Sequence, residues 1–114
     1  MIMTFPRIQS AIPKQRFKYG EFIVTLLTDV VSQDTVHYLY LVAVLSEGKT
    51  DPQVYISYEQ TDRNSFQTRV ISQQDEHIIN TQSEPMNESA FCDLALSGIE
   101  QMFGLTDETP VVLS

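Results

Sequence analysis

Apolar and β-branched residues crowd positions 22–31 and again 36–45. Both runs hold too much Val, Ile, Thr and Tyr to favour a helix. Between them, Ser32, Gln33, Asp34 and Thr35 supply side chains that bond to nearby backbone in turns. A second turn falls at 48–52, where Gly48 tolerates positive φ and Asp51, preceding Pro52, is driven away from helix. A third strand follows at 53–59 and a fourth at 66–72. His77 to Thr81 form a fifth after the polar residues 73–76. Loops this short join successive strands antiparallel, so the pattern predicts a meander of four to five strands over residues 17–82.

Residues 1–16 admit two readings. Phe5, Ile8 and Ile12 have helical spacing, with Thr4 able to open a short helix and Pro13 to end it. An edge strand beginning at Arg7 fits as well. Helical period is plain only near the other end. Over residues 87–104, Phe91, Leu94, Ala95, Gly98, Ile99, Met102 and Phe103 fall on one broad arc, while Asp93, Ser97, Glu100 and Gln101 take the opposite side. Asn87 or Ser89 can cap the start, and Gly104 suits a left-handed exit. The expected class is therefore α+β: one domain over 1–114, with a C-terminal amphipathic helix packed on one face of an antiparallel sheet and an acidic and apolar tail at 105–114.

Neither alternation class of the second strand is polar. Val36, Tyr38, Tyr40, Val42 and Val44 would share one face, and His37, Leu39, Leu41, Ala43 and Leu45 the other. The run at 22–31 behaves alike. A sheet with one wet face alternates apolar and polar, so both faces here call for cover, and one helix covers only one of them. The expected remedy is a homodimer through the second face. The rival is a ligand pocket lined by His37, Tyr38, Tyr40 and Tyr58, although aromatic stripes at strand spacing are more often core than pocket.

Charge sharpens this picture. All seven Lys and Arg residues lie at or before Arg69, where seven acids cancel them. The eight acids beyond supply the whole net charge of −8. With the helix docked, its acids face outward, so Glu88, Asp93 and Glu100 are the candidate surface for a basic protein partner. The same imbalance argues against nucleic acid as a partner. Lys14, Arg16 and Lys18 alternate as strand residues would, and form a small basic strip that can bind an anion, pair with those acids, or simply discourage edge aggregation.

An apolar content of 42% in 114 residues suits a folded globular chain. The longest apolar run, residues 38–45, is far shorter than a membrane-spanning helix requires. The first residues show no basic-then-apolar leader, so a cytoplasmic protein is expected, with no membrane association.

Candidate chemistry is thin. Cys92, the one cysteine, falls near the start of the helix, where the dipole lowers a thiol's pKa, but no base can be placed beside it, and a buried structural cysteine is the plainer reading. His37 and His77 each follow a Val-start, polar-turn sequence of equal length, as two hairpins would. Neither has metal-binding spacing, and no metal or other cofactor is expected. There is no Gly-rich phosphate loop and no nucleophile elbow. The sequence Asn87-Glu88-Ser89 matches a glycosylation pattern but reads as a helix cap. No motif points to a particular family. Two classes of function remain: a non-catalytic, self-associating interaction protein with an inhibitor, immunity or chaperone-like role, and a small-molecule binder or small enzyme with a pocket between sheet and helix.

Overall fold

The computed structural model describes residues 6–33, 36–72 and 75–113. Thr4 and Phe5, invoked for an N-terminal helix, and the turn residues Asp34, Thr35, Gln73 and Gln74 lie outside them. The chain forms β1 (Ile8–Tyr19), β2 (Phe22–Ser32), β3 (His37–Ser46), β4 (Val54–Asp62), β5 (Ser65–Ser72), β6 (Glu76–Gln82), α1 (Glu88–Phe103) and β7 (Val111–Val112). It is an α+β fold with an antiparallel sheet and one C-terminal helix. The sheet has seven strands, ordered β6-β5-β4-β3-β2-β1-β7, rather than four to five. The first addition is β1, where strand wins over helix: Pro13, which would have ended a helix, sits at a register shift. The second is β7, two residues of the tail that pair with Phe17 and Lys18.

Asn87 caps the helix, its side chain accepting from the Ala90 N–H at 2.8 Å. Gly104, at φ 66°, ends it. Phe91, Cys92, Ala95 and Ile99 are buried against Phe17, Tyr19, Phe22, Val24, Leu26, Val42, Val44, Ile56 and Tyr58. The entry loop is tied down where the Met86 N–H donates to the Tyr58 hydroxyl at 2.6 Å. At the far end Phe103 meets Phe22 with ring centroids 4.3 Å apart. The β1–β2 turn needs Gly20: its φ is 59°, and a Cβ there would stand 2.9 Å from Leu105 Cδ2.

The second face is covered in part by the chain itself. β2 pairs with β3 only as far as Leu27↔Leu41, and then continues with β1 alone. At the parting point Asp29 adopts φ 50°, in the left-handed region, beside a bulge in the β1–β2 register. The freed arm, the N-terminal half of β1 with the C-terminal half of β2, lays Ile8 and Val30 against a second core of Tyr38, Leu41, Ala43, Tyr55 and Ile71. Its tip is closed by the Gln33 N–H donating to the Arg7 carbonyl at 2.8 Å. Leu41 and Ile71 are fully buried in this single chain. Part of the face that the alternation pattern left for a second copy is thus covered by a hairpin arm, while Ile78 at its far margin stays exposed.

Candidate functional site

A bulge in β3 between Tyr38 and Tyr40 divides the tyrosines expected to share a pocket. Tyr38 turns to the second core, whereas Tyr40 and Tyr58 join the first. There Tyr58 stacks with Tyr40 at 6.0 Å and with Phe66 at 5.9 Å, and lies 5.7 Å from Phe91. Tyr58 and Phe91 are fully buried, and the space between helix and sheet at this point is filled by rings. His37 stands exposed at the start of β3. His77 is on β6, where its Nε2 pairs with Asp75 at 2.8 Å in the open.

Cys92 is buried in the helix–sheet core. Burial pushes its pKa up, and the nearby charges of Asp93 and Glu88 push it further, the opposite direction to the lowering expected at a helix start. Among the described residues no group of His, Cys, Asp and Glu has the arrangement to hold a metal ion.

Strands β4 and β5 carry a buried polar cluster that strand-by-strand reading missed. Glu59, only 2% exposed, accepts from Ser57 Oγ at 2.5 Å, Gln67 Nε2 at 2.9 Å and Arg69 Nε at 2.6 Å. A second nitrogen of Arg69 reaches Glu76 on β6 at 2.9 Å. Burial alone would pull the Arg69 pKa down. Its hydrogen bond to Glu59, with the charges of Glu59, Glu76 and Tyr38, more than reverses this and holds it above the ordinary value. The signal was available: Ser57 and Glu59 share one phase of β4, Gln67 and Arg69 one phase of β5, and the register sets them side by side.

Of the acids proposed to meet a partner, Asp93 is exposed and Glu88 half-buried. Glu100 is half-buried and accepts from the Tyr19 hydroxyl at 3.2 Å, so it is committed in part to the fold. Glu84, Glu88, Asp93, Asp107 and Glu108 have no Lys, Arg or His within ion-pair distance among the described residues. The basic residues sit elsewhere. Arg16 and Lys18 lie on β1 opposite Thr25 and Ile23, out of phase with the helix-facing Phe17 and Tyr19, and Lys18 pairs with Glu47 at 3.0 Å. Lys14 falls in a register shift, which breaks the three-residue strip.

A shallow groove of about 310 Å³ runs between β6 and the C-terminal end of α1, lined by Val70, Ser72, Asp75, His77, Ile79 and Met102. Ile78, Ile79 and Met102 are 58%, 44% and 40% exposed. The helix lies over the middle of the sheet, and Met102 in its last turn borders this margin without covering it. Among the described residues no helix is long and apolar enough to cross a membrane. Comparison with known proteins finds no matching family model, no matching curated sequence and no matching solved structure.

Proposed function

We propose that the protein is a non-catalytic interaction protein that captures a more basic protein, in an inhibitor, immunity or chaperone-like role. The observation that carries this is the set of carboxylates without a basic partner among the described residues, Glu84, Glu88, Asp93, Asp107 and Glu108, in a stretch of chain without a lysine or arginine. Carboxylates held apart from cations do little for the fold, since exposed charges contribute at most about 1 kcal/mol even when paired. They set up a negative field that speeds encounter with a cationic surface. A pocket between helix and sheet, the alternative, has less support, because Tyr40, Tyr58 and Phe91 stack where it would lie.

Capture of a basic protein on the immobilised chain should fall steeply between about 50 mM and about 500 mM salt, where screening shortens from near 14 Å to about 4 Å. The E88Q/D93N variant should lose much of that capture at low salt. Binding that ignores both salt and the double substitution would count against an electrostatic partner site.

A further inference from the structure

The two margins of the sheet are built differently. On one side β1 is interrupted by three register shifts, contains Pro13, carries Lys14, Arg16 and Lys18, and has part of its outer edge covered by β7. Bulges, proline, lysine and a covering strand are the devices by which proteins keep an edge from pairing. On the other side β6 presents seven residues, Glu76 to Gln82, with one register shift, at Ile79, against the three of β1, and with no proline, no lysine and no strand beyond it among the described residues. Its outward N–H and C=O groups form a ready template for one more strand.

Side-chain surroundings along β6 suit an added strand on either face. Ile79 lies with His77 in the groove that ends at Met102, on the helix side. Ile78 stands opposite Arg69 on the other side. Flanking these apolar positions are Asp75 and Glu76 at one end and Glu84 just past the other. Among the described residues the basic side chains there are His77, whose Nε2 meets Asp75, and Arg69, shared between Glu59 and Glu76.

Resting on the interaction reading above, we propose that the outer edge of β6 receives an extended segment of a partner protein in which apolar residues alternate with Lys or Arg. That segment extends the sheet by an eighth strand. The backbone ladder supplies much of the affinity, Ile78, Ile79 and Met102 the apolar contacts, and Asp75, Glu76 and Glu84 the preference for cations. A second copy of this chain is the poorer occupant. Antiparallel pairing of two β6 strands about Ile79 would set Asp75 and Glu76 of each copy beside Glu84 of the other, with no free cation to offset them.

The test uses the full chain with a synthetic peptide of alternating Lys and Val, a Glu-Val peptide as control, and amide hydrogen exchange as readout. The Lys-Val peptide should slow exchange along Glu76 to Gln82, and I79K, which places a like charge on an already exposed position, should weaken binding by about tenfold or more. M102A should weaken it less and serves as a second probe should I79K melt early. Binding without protection on β6, unaffected by I79K but lost in E88Q/D93N, would overturn the edge site and leave the acidic interaction reading standing. Failure of every cationic peptide to bind would overturn both. Protection of β6 that rises with protein concentration in the absence of peptide would overturn the choice of occupant in favour of a second copy.

Discussion

Three donors, from Ser57, Gln67 and Arg69, converge on the Glu59 carboxylate within the sheet. A charge so enclosed is tolerable only while each of its oxygens is occupied, and Arg69 depends on it in turn. Removing one member therefore costs more than removing the charges together. E59A should lower stability by about 3–5 kcal/mol in urea denaturation, and E59L/R69M should recover a good part of that loss. If E59A alone is nearly neutral, the cluster is wetter than its geometry implies. Such clusters escape single-strand reading because each residue looks like an ordinary polar interruption. Only the register that aligns Glu59 with Gln67 and Ser57 with Arg69 shows that the interruptions answer one another.

Among the elements, the helix and the middle strands were the most legible, because one side of the helix and nearly every position of β3 demand burial. Which residues share a face was legible only while alternation held. The bulge in β3 sends Tyr38 and Tyr40 to different cores, and no sequence pattern announces it. The doubly apolar strands did show that the second face needs a cover, but they could not show that β1 and β2 peel away to provide it. That depends on Asp29, a residue tolerated in the left-handed region because its short polar side chain can satisfy local backbone. A β-branched residue has no such latitude. D29V should cost about 1–2 kcal/mol, while D29G stays within roughly 0.5 kcal/mol of the parent chain by thermal or chemical unfolding. Equal stabilities would show that side-chain packing, rather than backbone conformation, holds the arm.

For the whole molecule, both cores enclose weak acids that resist ionisation, and in the first the Tyr19 phenol, raised by burial and then Glu100, joins the Cys92 thiol. In the first, burial and then Asp93 and Glu88 raise the Cys92 thiol. In the second, burial and then Asp51 raise the Tyr55 phenol. All these groups are neutral when protonated, so a raised folded pKa means the unfolded chain releases these protons first. Stability is therefore unaffected by them at neutral pH and declines as pH climbs through the ordinary thiol value of 9.0 and then the phenol value of 10.0. Urea midpoints should fall over that range, and C92A should remove the earlier part of the fall. A flat profile would show that none of these protons is held more tightly in the folded state.

Among the described residues every pairing from β1 to β6 joins strands that are consecutive in the chain, while β7 on β1, the helix on the sheet and the β1–β2 arm on the second core bring distant segments together. Closing short loops is entropically cheap and closing long ones is slower, so the molecule assembles largely as a series of neighbouring hairpins. The clasp formed by Val111 and Val112, two exposed residues with the Leu113 N–H donating to the Arg16 carbonyl at 2.8 Å, has the least to hold it and the longest loop to close. It should be the last strand to join and the first to fray, which faster amide exchange at Val111 to Leu113 than along β2 to β5 would check. When it opens, the backbone it frees at Phe17 and Lys18 belongs to the bulged, lysine-bearing margin, so the most fragile joint in the fold lies on the side already defended against unwanted pairing.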